Sequence, residues 1–199
     1  MGTGVNTNDR IAFTVADLVA VADEVQSAFG GLTVEEMNWK PSETEWSAAQ
    51  CFDHLITINS FYFPIFDKLR SGTLPTTWLE RISPLSGFFG RFLIKAMSPE
   101  TEKKMKTSKR AYPSASEISG DIIERFVEHQ SELADHIRQL PSDLDLKKII
   151  TSPLASFVTY SIDDCLTMLV VHERRHILQA KRVVRDRTQH RDRRVRKGT

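Results

Sequence analysis

Along four separate stretches of this chain, apolar residues recur at steps of three and four. That spacing admits little besides amphipathic helices packed on one another. In the first stretch Ile11, Val15, Leu18, Val19, Ala22, Val25 and Phe29 form one stripe, stopped by Gly30-Gly31. A short turn follows, with Thr33 and Glu36 in the capping-box arrangement and Pro41 closing it. The second long stripe runs Cys51, His54/Leu55, Ile58, Phe61/Tyr62, Ile65 and Leu69. Ser47 supplies its N-cap and Gln50 the reciprocal position. Pro64 kinks or shortens the helix, and Gly72 marks its end. The third stripe is Ile118, Ile122, Phe126, His129, Leu133, Ile137 and Leu140. It begins at Ser114/Ser116, with Glu117 completing a Ser-x-x-Glu box, and stops at Pro141. The fourth is capped by Ser161 and Asp164 and runs Cys165, Leu169, His172, His176, Ala180 and Val183. Neither a repeat nor strand-like alternation interrupts this pattern. The expected fold class is all-α, a four-helix bundle with an irregular insertion between helices 2 and 3.

The insertion, residues 73–113, is broken by Pro75, Pro84 and Pro99 and by Gly87 and Gly90. It carries a short apolar stretch (Phe88, Phe89, Phe92, Leu93, Met97) beside a basic one (Lys103, Lys104, Lys106, Lys109, Arg110). It reads as a connection covering one end of the domain. Residues 8–186 form the expected domain. Residues 187–199 are nearly all Arg, Asp, Gln and Lys and read as a disordered basic tail. The run Arg191, Arg193, Arg194, Arg196, Lys197 has the chemistry to touch nucleic acid, but a solvated tail is the better reading.

Bulk properties narrow the function classes. A chain of 199 residues with 40% hydrophobic and 27% charged residues is ordinary for one globular domain. A formal net charge of +1 does not call for nucleic acid or a membrane surface as partner. No apolar run is long enough to span a bilayer, and the N-terminal residues lack a secretion-signal layout. Two cysteines, Cys51 and Cys165, do not make a disulfide framework, so a reduced, cytoplasmic setting is expected.

The chemistry concentrates in His172-Glu173-Arg174-Arg175-His176. Four helical residues advance a side chain by roughly 40° and about 6 Å, so two imidazoles can face one ion. Both continue an apolar stripe, and buried imidazoles need partners, which a metal provides. The same five residues match the zinc-protease motif H-E-x-x-H, with Glu173 as base. That motif in its extended form wants Gly and His where this chain has Gln179 and Arg182, and no Glu follows Glu173. The third ligand is therefore sought upstream. His190 lies in the tail. His129 and His136 are two turns apart, so at most one of them serves. His54, on the buried stripe of the second helix, is the best candidate. Three His with an open position is the catalytic zinc pattern. Glu173 and Asp53 adjoin the ligands in sequence and are weak catalytic candidates. Each also reads as a solvated or ion-paired surface carboxylate.

These residues resemble a known family. Trp46-Ser47-Ala48-Ala49-Gln50-Cys51-Phe52-Asp53-His54-Leu55 resembles the W-S-x-x-[QE]-x-x-x-H-L signature of the DinB-like superfamily, and Trp39-Lys40-Pro41 its W-[KR]-P approach. His172-Glu173-x-x-His176-x-x-Gln179 is similar to its second motif, H-E-x-H-H-x-x-Q, with Arg175 standing where the family often has a further His. The resemblance runs from about Ile11 to Arg185. It implies an up-down-down-up four-helix bundle, a zinc or nickel ion on His54, His172 and His176, and frequent homodimers. For some relatives it implies S-transfer with a low-molecular-weight thiol, for others metal-dependent hydrolysis, in either case on a small-molecule substrate. The alternative is a non-catalytic metal or small-ligand binding bundle with a stress-related role.

Overall fold

In the computed structural model, residues 6–78, 80, 86–98 and 109–197 are described. Helix α1 (Thr7–Phe29) starts where Asn6 Oδ1 accepts the Asp9 N–H. Helix α2 (Val34–Asn38) carries the expected Thr33/Glu36 capping box, and α3 (Ala48–Ser60) the Ser47/Gln50 box. Pro64 has no N–H to continue α3, so the chain restarts as α4 (Phe63–Arg70) with the proline in its first turn. Gly72, at φ 68°, then takes the left-handed conformation that ends this arm. Among the described residues the insertion contributes α5 (Ser86–Met97) and a 3-10 turn, Lys109–Ala111. Helix α6 (Ile122–Arg138) and helix α7 (Ile162–Lys197) complete the bundle.

The directions of the four long helices follow from who touches whom. Arg10 bonds Asp163, and Arg174 and Lys181 pair with Asp17 and Glu24, so α1 and α7 run parallel. Phe52 packs on Phe126, Phe63 on His136, and Arg70 bonds Gln139, so the α3–α4 arm runs parallel to α6. His54 lies against His172 and His176 while Tyr62 bonds Tyr160, so α3 runs antiparallel to α7. The order is up, down, down, up. Around the bundle each helix touches two neighbours, in the ring α1, α6, α3, α7.

Four details differ from the sequence reading. The α1 stripe turns through Val21, which is fully buried, while Val19 is half exposed. Helix α6 begins at Ile122, not at Ser114/Ser116. Ser114 gives its N–H and hydroxyl to Asp53, and Ile118 exchanges two bonds with the Asn38 side chain. These long-range partners outcompete a local cap. A two-stranded antiparallel ribbon, β1 (Ile149–Thr151) and β2 (Thr159–Ser161), pairs Ile150 with Tyr160 before α7. Finally, α7 does not give way to a disordered tail but continues to Lys197. Its Arg187 bonds Glu36, Thr188 bonds the Val184 carbonyl, and no Gly or Pro intervenes before Gly198.

Two hydrophobic clusters fill the interior. One holds Leu18, Ile58, Phe66, Leu133, Ile137 and Leu169. The other holds Val25, Phe29, Phe52, Phe126 and Ile177. Between these levels lie the buried polar side chains of Asn59, Gln130 and Glu173, with the His54, His172 and His176 rings beside them. A polar layer this deep costs stability unless its members satisfy one another or a ligand.

Candidate metal centre

His172 and His176 stand one turn apart on the inward stripe of α7, and antiparallel α3 carries His54 to face them. The three residues are 2–8% exposed. His172 Nε2 lies 3.4 Å from His54 Nε2 and 3.1 Å from His176 Nε2. Among the described residues this is the group whose ligand atoms converge, all within 4.8 Å of one another. A tetrahedral ion bonding imidazole nitrogens at about 2.0–2.1 Å holds them about 3.3 Å apart, so the triad fits such an ion.

The surroundings fix how each ring presents itself. His54 Nδ1 donates to the Ala111 carbonyl at 2.5 Å, which leaves the Nε2 lone pair facing the triad. Ala111 belongs to the 3-10 turn at the end of the insertion, so that turn orients the His54 ring. Trp46, just ahead of the Ser47 cap, packs on both His54 (ring centroids 4.8 Å) and His176 (5.8 Å). Its position before a capping box was the available signal for this role, and the sequence reading used it only as a motif residue. Arg175 Nη1 donates to the Ala96 and Ser98 carbonyls, tying the end of α5 to α7 beside the triad.

Burial is the main force on all three imidazoles, and it favours the neutral ring. It lowers His54, against an opposing pull from the Ala111 bond and the Asp53 charge. It holds His172 well below the usual histidine value, helped by His176, His54 and Arg175. His176 is pushed down to about 3 by burial, His54 and Arg175, with Gln179 acting the other way. Three neutral rings with converging lone pairs are what a transition-metal ion requires.

The two carboxylates are not surface groups. Asp53 is 3% exposed, and its oxygens accept the Ser114 N–H and hydroxyl. Glu173 is fully buried, with Oε1 accepting from Asn59 Nδ2 and Gln130 Nε2 at 2.8 Å each. Burial raises Glu173 to about 7. Its bonded oxygen is committed to α3 and α6 side chains, an arrangement unlike the protease role in which it would act as base at the metal. His129 lies on Phe63 near Glu132, His136 pairs with Asp67, and His190 sits by Trp39, so none of them joins the triad. Cys51 and Cys165 are free, buried residues within the hydrophobic clusters.

An up-down-down-up helical bundle with three inward histidines shared by two antiparallel helices defines a class of metal-site bundle. The chain belongs to the DinB superfamily, whose family model matches residues 17–180. It is 25% identical over 161 residues to the uncharacterized protein YuaE of Bacillus subtilis (strain 168). That match covers 80% of this chain and 90% of YuaE. No solved structure gives a significant match.

Proposed function

We propose that this chain is a metal-dependent enzyme that acts on a small-molecule substrate, by thiol S-transfer or by hydrolysis. The observation that carries the reading is the make-up of the triad. Three neutral imidazoles converge, and no carboxylate or thiol among the described residues joins them. Structural zinc sites are closed by four protein ligands, whereas catalytic ones keep a position for water or substrate. His54, His172 and His176 would hold the ion. Zinc or nickel suits an all-imidazole set. Such an ion, when bound, acidifies a water or a thiol in the open position. The protein's own part is to keep the three rings deprotonated by burial, to fix His54 through Ala111, and to shelter the site with Trp46.

The test has two stages. Elemental analysis of purified and reloaded protein should give about one metal ion per chain. The loaded protein is then assayed with electrophiles plus mycothiol, bacillithiol or glutathione, and with ester and amide substrates without thiol. Turnover that needs both metal and one thiol supports transfer. Turnover without thiol supports hydrolysis. Stoichiometric metal with neither activity would sink the enzyme reading and leave a binding bundle.

A further inference from the structure

The insertion leaves a hydrophobic surface that the metal centre does not use. Helix α5 packs one face inward. Gly90 is buried, Leu93, Ile94 and Met97 lie on the core, and the helix touches α7 and β2. The approach is close, since a Cβ on Gly90 would meet the Asp164 Cβ at 2.9 Å. The opposite face is a stripe at helical spacing, Phe88, Arg91, Phe92 and Lys95, all exposed. Phe88 is 57% and Phe92 53% exposed, and their rings stack on each other 6.1 Å apart at 15°. The helix carries no acidic residue.

We propose that this stripe docks the protein on an anionic lipid surface. Large adjacent aromatics on a soluble face mark an interaction site. The alternation with cations says which kind. Two rings on one helix face can enter the boundary between headgroups and acyl chains, while the Arg91 guanidinium and Lys95 ammonium snorkel to lipid phosphates. Helix α5 holds two cations, Arg91 and Lys95, and no acid, in a chain whose net charge is only +1. No described helix is long and apolar enough to cross a membrane, and lying on one needs no such helix. Arg175 ties the α5 C-terminal end to α7 beside the ligands, so docking would bring the metal centre close to the lipid surface.

The experiment is cosedimentation of the full chain with vesicles, either pure phosphatidylcholine or phosphatidylcholine with about one third phosphatidylglycerol. Binding is expected to the anionic vesicles, to be at least about tenfold weaker to the neutral ones, and to fall as salt rises. The pair Phe88→Ser/Phe92→Ser and the pair Arg91→Glu/Lys95→Glu should each lower anionic-vesicle binding by about tenfold or more. Circular dichroism and metal content should not change, because none of the four side chains lies in the core or the triad. Three results would overturn the proposal. The first is wild-type protein that stays in the supernatant with anionic vesicles, and the second is both variants sedimenting like wild type. The third is a dimer in solution that Phe88→Ser/Phe92→Ser converts to monomer, which would make the face a contact between copies.

Discussion

Next to His172 in sequence, Glu173 commits Oε1 to Asn59 and Gln130, and that pairing makes a sharp prediction. Oε2 of Glu173, Oδ1 of Asn59 and Oε1 of Gln130 are buried acceptors without a hydrogen-bond donor. A proton on Glu173 relieves part of that deficit, in keeping with a pKa near 7. Glu173→Gln keeps the acceptor and adds an amide donor to the same space, so it should preserve the fold. Glu173→Ala strands two buried donors and should cost about 2–4 kcal/mol. The pH dependence has a definite sign. A folded pKa raised above the unfolded value contributes stability fully present below about 4.5 and lost as pH rises through about 7, in all about 3 kcal/mol. In urea melts, Glu173→Gln should therefore gain on wild type between pH 5 and pH 8. A constant difference would mean that Glu173 does not change protonation there. For the triad, His54→Ala and His176→Ala should weaken metal binding alike, by at least about a hundredfold. Normal binding by His54→Ala would remove it from the ligand set. Spacing on an apolar stripe made the His pair legible in the sequence, and elimination pointed to His54. The burial of Glu173 and Asp53 was not legible, because a carboxylate's partner depends on which helix arrives opposite it.

At the scale of elements, Asp53 is a staple between α3 and the segment leading into α6. It holds the Ser114 N–H and hydroxyl, and three residues earlier the Ala111 carbonyl holds His54. Asp53→Ala should destabilise the protein by about 2–3 kcal/mol, speed hydrogen exchange at the Ser114 amide, and loosen metal binding through His54. Glu117→Ala, which would remove a capping box if α6 began at Ser114, should change stability by less than about 0.5 kcal/mol. Equal losses from both substitutions would restore the local cap. The helices with intact local signals were legible: the Ser47 and Thr33 boxes, the break at Pro64, and the Ser161 cap of α7 with its Asp164 partner. The α6 start was not, because Asp53 and Asn38, 61 and 80 residues away, captured the groups a local cap needs. The β1–β2 ribbon was missed because strands of three residues are too short to show alternation. The extension of α7 was missed because composition alone does not register a helix braced at its side by Glu36.

Across the whole molecule, the buried titratable groups set a pH response that the metal should reshape. Burial disfavours protonation of four histidines in the folded state: His54, His172, His176 at about 3, and His129 at about 4. The unfolded chain protonates them near 6.5, so their contribution is complete above that pH and is lost as pH falls below it. Glu173 acts in the opposite sense, but it is one group against four. Metal-free protein should therefore lose stability as pH falls from 6.5 to 5. Bound metal adds a term that grows with the ratio of free metal to its dissociation constant, about 4 kcal/mol at a thousandfold excess. For a chain of this length that is roughly a 10 °C rise in Tm. The lowered imidazole pKa values mean that protons compete less for the folded site than for exposed histidines, so the gap between loaded and metal-free protein should persist at pH 6. Melting curves of chelator-treated and zinc-reloaded protein at pH 7.5, 6 and 5 test this directly. A metal-free Tm that holds steady or rises on acidification would show that the histidines are not held neutral by burial, and a vanishing gap at pH 6 would show that the triad titrates like exposed histidine.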